Sequence, residues 1–297
     1  GRPSTKKRAH EIKIKKTKTF SNIFSYVFEA IKSTKSEDAK FLIISISPYT
    51  LIICLFLKLF GKTPIVYLRS DGYGEYYSIL GRVGKFIYHL MFNFTALISN
   101  FISCRNYILN GKKGKVVHPS QLDSVWLRKP KTLEVKSFKL LYVGRIRVEK
   151  GIFSLSSLIK NKRNISLTIV GAEKNTSYKI NQSNIKIQLT QSNKARLIRY
   201  YDDHNIFVLP SFTEGHPMVL LEALARRRPV IIFEDIEHVI GNKKGIFVAK
   251  RNFLNFFGIL NHIKKNYKKI QKDMMKNKLP TNKEFIEEFV KAIDEFK

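Results

Sequence analysis

Glu214 and Glu222 stand eight positions apart in the segment Glu-Gly-His-Pro-Met-Val-Leu-Leu-Glu. Pro217 suits the first turn of a helix, so Glu214 and Gly215 fall in the loop before it. The helix itself is apolar almost all round and must be buried, and Glu222 is its only ionisable residue before Arg226. A buried carboxylate is costly without a partner, so Glu222 needs a basic neighbour or hydroxyl groups to bind. Free N–H groups at such a helix start also favour a phosphate. Upstream, Lys139–Val143 reads as a strand closing on Gly144, with Arg145, Lys150 and Gly151 before the next helix. Two cations at the carboxyl end of a strand can clamp a diphosphate, each charge-assisted bond worth about 1.5–3 kcal/mol. Gly144 would let the backbone approach such a ligand closely, although the GxxxxGK[ST] pattern is absent. The competing reading of the two glutamates by themselves is an exposed residue and a paired core residue.

Both clusters must be positioned by a sheet. In the first half, strands are expected at 40–46 and 64–69, with helices at 21–32, 49–59 and from Gly74 to about 95. Short apolar runs follow at 96–99 and 115–118. The pattern restarts after the polar stretch 127–137. Strands at 139–143, 165–170, 185–189, 206–209, 230–233 and 245–248 alternate with helices at 151–160, 194–201 and 217–226. Alternation of this kind describes two doubly wound parallel sheets of α/β class. Domains at 1–133 and 134–280 are expected to face each other across a cleft, with a last helix from 281. Ligands of such sheets bind beyond the carboxyl ends of the strands, which directs Gly144, Gly171 and Ser211 to one site.

Taken together, Val143-Gly-Arg…Glu-Lys-Gly151, Thr168-Ile-Val-Gly171, Phe207–Ala225 and Pro229-Val-Ile231 resemble the retaining glycosyltransferases of family 4, which have the GT-B architecture. The resemblance is strong over 138–250 and fainter over 38–137, where Val116–Asp123 looks like the family's strand and loop into the second domain. It implies that Arg145 and Lys150 hold the diphosphate of a nucleotide-sugar donor and that Glu222 binds the ribose hydroxyls. Glu214 would contact the donor sugar, beside the backbone of Gly215, His216, Pro217 and Met218. Gly144, Gly171, Thr190 and Ser211 would complete the donor site, base recognition using the loop at Thr190-Gln191. It also implies transfer with retained anomeric configuration, the leaving diphosphate assisting the acceptor and Arg145, Lys150 and the helix start stabilising its charge. No D-x-D motif is present and no metal is expected; Asp202-Asp203 is read as the start of a strand. Three departures stand out. Arg226-Arg-Arg228 replaces the family's glycine turn. The N-terminal domain lacks the family's first strand and glycine-rich loop. After the strand at 64–69, Asp71 occupies the place where a histidine is usual.

Charge bears on partners. Lysine and arginine number 54 against 23 acids, a net charge of +31 spread almost evenly over both halves. A nucleic-acid module would concentrate its charge, and no nucleic acid is expected. An anionic membrane surface or acceptor competes with plain compositional drift. Residues 1–18 carry eight basic residues, with a strand expected at 11–17. A helix at 264–278 carries seven lysines and an apolar face of Ile263, Tyr267, Ile270 and Met274. Its reading as a solvated surface helix competes with a membrane-surface helix. The apolar stretches 41–57 and 86–104 are interrupted by Pro48 and by His89 and Asn93, against a membrane span. Cys54 and Cys104 fit reduced, buried thiols of a cytoplasmic protein. The reading is thus a cytoplasmic, membrane-peripheral transferase of envelope glycan synthesis with a glycan or lipid-linked acceptor. Rival readings are an inactive or truncated homologue, a basic membrane- or nucleic-acid-binding protein, and an epimerase or phosphorylase on the same architecture.

Overall fold

The computed structural model describes residues 22–35, 39–131 and 133–296. The basic segment 1–18, with its expected strand, lies outside them. The chain divides into two compact units at Lys115/Val116.

In the first unit, α1 (Ile23–Ser33) precedes β1 (Leu42–Ile44), α2 (Pro48–Leu59), β2 (Ile65–Leu68), α3 (Gly72–Ile98), β3 (Asn100–Ser103) and β4 (Lys115–Val116). The sheet order is β1-β2-β3-β4, with the first three strands paired in parallel. Ser47 caps α2 in a reciprocal capping box with Thr50, and Pro48 sits where its missing N–H costs nothing. The apolar run 96–99 is not the strand: residues 96–98 finish α3, and pairing begins at Asn100. Periodicity cannot separate a buried helix end from a buried strand. Cys54 and Cys104 are free and buried, and burial raises their thiols to about 12 and about 11.

The second unit holds α4 (Ser124–Leu127), β5 (Phe138–Val143), α5 (Ile152–Leu158), β6 (Ile165–Ala172), β7 (Ile185–Leu189), α6 (Lys194–Asp203), β8 (Ile206–Leu209), α7 (Met218–Ala225), β9 (Val230–Phe233), β10 (Ile246–Ala249), α8 (Phe253–Met274) and α9 (Asn282–Asp294). Its order, β10-β9-β8-β5-β6-β7, is all parallel. That is the 3-2-1-4-5-6 winding of dinucleotide-binding sheets, whose switch point lies between β5 and β8. Strands β8 and β9 are buried along their whole length, which explains their unbroken apolar sequence. Residues 116–133, expected in the first domain, are counted with this unit. Trp126 is in its core, Leu122 O accepts from Asn282 N at 2.7 Å, and Asp123 caps α4 and pairs with Lys194.

Two expectations are corrected here. Asp202-Asp203 ends α6 and does not open a strand; Asp202 receives the buried guanidinium of Arg226 at 2.7 Å and Arg228 at 3.4 Å. The lysine-rich helix is the second part of α8, which begins at Phe253, and its apolar face (Ile263, Tyr267, Ile270 and Met274) is buried in the sheet's core. The solvated-face reading therefore holds for that helix: its lysines border solvent, and its apolar side has no area left for lipid.

Candidate donor site at the switch point

The carboxyl ends of β5, β6 and β8 are brought together by close backbone packing. A Cβ on Gly171 would sit 1.8 Å from Gly144 O, and one on Gly151 would sit 1.8 Å from Pro210 O. Both residues also have positive φ, 155° and 65°, so neither position accepts a side chain without moving the backbone. The loop after β5 is then locked to the loop after β8, Phe212 N donating to Glu149 O at 3.0 Å.

That packing delivers Lys150 to Glu214. Lys150 Nζ and Ser211 Oγ each donate to Glu214 Oε1 at 2.7 Å, and the Lys150 and Glu214 side chains are only 20% and 12% exposed. Ser211 is fully buried. His238 Nε2 donates to Glu214 O at 2.7 Å, and His216 Nε2 to Pro119 O at 2.7 Å, tying the loop to its neighbours on both sides. Arg145 is exposed at the mouth of β5, its carbonyl fixed by the Tyr142 hydroxyl at 2.8 Å. Pro217 is the N-cap of α7 and gives it no side-chain cap; the amides of Met218 and Val219 are thus placed as an anion site. Thr190 is exposed after β7, its hydroxyl donating to Ala172 O at 3.1 Å.

Glu222 lies one turn into α7 and is 5% exposed. Its partner is not a cation: the Tyr201 hydroxyl donates to Oε2 at 2.8 Å. Burial pushes the carboxyl up to about 7, with the Tyr201 bond acting in the opposite direction. Loss of hydration thus outweighs the single neutral donor. Asp71 belongs to the first unit, where it caps α3 by accepting from Tyr73 N at 3.0 Å.

The residues expected at the donor site therefore lie on the strand ends, loops and helix start at the carboxyl edge of one sheet, whereas Asp71, the candidate near the reaction centre, lies in the other unit. Arg251 was not visible in sequence. It follows β10, pairs with Asp235 at 2.8 Å, donates to Pro210 O at 2.9 Å and stacks over Phe212 at 3.9 Å. It holds the loop that carries Ser211, and the sheet order β10-β9-β8 brings it there.

Residues 126–279, more than half of the chain, match the family described as Glycosyl transferases group 1. The chain belongs to this family. Among its relatives is the capsular polysaccharide biosynthesis glycosyltransferase CapM of Staphylococcus aureus, 32% identical over 142 residues. That match covers 41% of this chain and 37% of CapM, so the chain spans little more than a third of that relative's length. Two solved structures share the fold across nearly the whole chain. HepE of Anabaena, crystallised with UDP and glucose, matches with TM-score 0.67 and 11% identity, covering 94% of this chain and 84% of its own. Sucrose-phosphate synthase of Thermosynechococcus elongatus matches with TM-score 0.65 and 16% identity, covering 92% and 78%. The two-sheet fold is thus GT-B, as the sequence motifs imply.

Proposed function

We propose that the chain transfers a glycosyl group from a nucleotide-diphosphate sugar to a glycan or lipid-linked acceptor of the cell envelope, with retained anomeric configuration. The Lys150–Glu214–Ser211 cluster at the sheet's switch point carries this reading. Arg145, Lys150 and the uncapped start of α7 surround the place where a diphosphate would lie. They would stabilise the charge that grows on it as the glycosidic bond breaks. Glu214, oriented by Lys150 and Ser211, would accept hydrogen bonds from the donor sugar. Glu222 would bind the ribose hydroxyls, whose donors would add to that of Tyr201 and favour its ionised form. Thr190 would border the base. The relation to a capsular polysaccharide enzyme and to a fold crystallised with UDP supports an envelope acceptor and a nucleotide donor. The proposed location is the inner face of the membrane, and no resident metal takes part.

The test is nucleotide-sugar binding by thermal shift followed by transfer assays in EDTA. A donor at 100 times its Kd stabilises the protein by about 2.7 kcal/mol. Arg145→Ala and Lys150→Ala should each weaken donor binding about 10- to 100-fold, the loss of one charge-assisted contact, with the far-UV spectrum unchanged. Equal affinity in both variants, or activity lost in EDTA and restored by Mg²⁺, overturns the assignment. Binding that proceeds to epimerised donor without an acceptor would favour an epimerase.

A further inference from the structure

We infer that the outward face of α3 is a membrane-docking surface that lies on an anionic lipid bilayer. After Gly81, whose φ of 61° breaks the helix, Val83, Phe86, Ile87, Leu90, Phe94 and Leu97 follow one another at helical spacing on one side. They are 38–80% exposed, while Tyr88, Met91, Phe92 and Thr95 on the opposite side are buried in the first unit's core. Among the described residues, the helix is therefore apolar on both sides but covered on one only. Isolated exposed apolar residues need no explanation, but a continuous row over four turns does.

Charge selects the occupant. No acid follows Glu75 in α3, and its cations are Arg82 and Lys85, both exposed. Over residues 39–115 only Asp71 and Glu75 oppose ten lysines and arginines. A second copy of this face would bring like charges together. The row is also broader than a two-per-heptad coiled-coil seam, because Phe86 stands beside Ile87. An apolar face bordered by cations fits headgroups and the acyl boundary of a bilayer, with lysine and arginine reaching to phosphate. Lying on the surface is the available mode, since among the described residues no helix is long and apolar enough to cross a membrane.

This inference rests on the membrane location proposed above and moves it from the lysines of α8 to the apolar face of α3. The experiment is co-sedimentation of the full chain with vesicles of phosphatidylcholine, alone or mixed with phosphatidylglycerol. Val83→Gln/Leu90→Gln/Leu97→Gln should weaken binding to the mixed vesicles at least about tenfold, with donor binding unchanged. Leu97→Gln alone, the most exposed position at 80%, should give a smaller loss in the same direction if the triple variant folds poorly. Arg82→Gln/Lys85→Gln should reduce the preference for anionic over neutral vesicles. Replacing Lys264, Lys265, Lys268, Lys269 and Lys272 by Gln should reduce binding less than the α3 triple variant and only at low salt. Undiminished binding by the α3 triple variant overturns the inference while leaving the membrane location standing; no binding of the unmodified chain to either vesicle overturns both. Conversion from dimer to monomer in the triple variant, by analytical ultracentrifugation, would make the occupant a second copy and overturn the lipid assignment.

Discussion

Gly171, at the irregularity near the end of β6, and Arg227, in the turn after α7, both have a positive φ, 155° and 51°, yet one admits only glycine and the other carries arginine. The difference is what stands where a Cβ would go. At Gly171 it is the carbonyl oxygen of Gly144, 1.8 Å away. At Arg227 the side chain leaves toward the surface beside Lys129, Lys131 and Lys268, so only the modest cost of the left-handed conformation remains. The turn is held from either side. Arg226 donates to Asp202 and to the carbonyls of Trp126 and Arg128, while Arg228 donates to the carbonyls of Tyr201 and Lys131. The arginines that replace the family's glycine turn are thus structural: two buried guanidinium groups clamp α6, α7 and the 126–131 segment together. A glycine among packed strand ends is dictated by backbone crowding, whereas a glycine in a loop can be exchanged if its neighbours supply new anchors.

The largest effect should come from Gly171→Ala. Its Cβ forces the ends of β5 and β6 apart, and a loss of about 4 kcal/mol or failure to accumulate as folded protein is expected. Urea unfolding with a stability near that of the unmodified chain would show that the strand ends separate freely. Next is Asp202→Ala, which leaves Arg226 and Arg228 buried without their carboxylate. A cost of about 3 kcal/mol follows from breaking a buried pair on one side, and a cost below about 1 kcal/mol would mean that the carbonyls suffice.

Glu222 sharpens the contrast because it is a buried carboxyl partnered by a hydroxyl and no cation. Its folded-state value of about 7 lies above the ordinary carboxylate value, so the folded protein holds a proton that the unfolded chain has released. Stability from this group therefore falls as pH rises from about 4.5 to about 7. Glu222→Gln removes that penalty. Relative to the unmodified chain, the variant should be more stable at pH 8 than at pH 5 by up to about 3 kcal/mol, while nucleoside-diphosphate binding weakens. A stability difference between the two proteins that is independent of pH, with normal nucleotide binding, would make Glu222 an ordinary core residue. Smallest is Arg227→Gly, which should stabilise by about 1 kcal/mol through relief of the left-handed conformation, offset in part by a more flexible unfolded chain. A destabilised variant would mean that the Arg227 side chain is itself an anchor.

Much of the candidate site's arrangement was legible in sequence because its residues follow a local pattern. A strand ending in glycine, a cation a few positions on and a proline opening an apolar helix are features of short segments, and parallel α/β winding turns them toward one end of the sheet. That winding also accounts for Ser211 and Gly171. The elements misplaced from sequence differ in cause. Residues 96–98 and 202–203 are too short to show a period that separates helix from strand, whereas 253–263 continues the 4-3-4 spacing of the lysine-rich helix through Phe256, Leu260 and Ile263. What completes each of them is a neighbour distant in sequence: the β2–β3 register for Asn100, the arginine turn for Asp202, the sheet for α8.

By itself the sequence determined the α/β class, the family, and which residues could face a diphosphate, since these depend on spacing along the chain. Tertiary structure alone decided the partners and the exposures. Glu222 received a tyrosine and not a cation; Lys150 received Glu214. The apolar face of the lysine-rich helix went into the core, while one of the two apolar faces of α3 stayed outside. The physical reason is that burial and charge pairing are set by which surfaces meet in space, and nothing in a helix's own periodicity says what will lie against it.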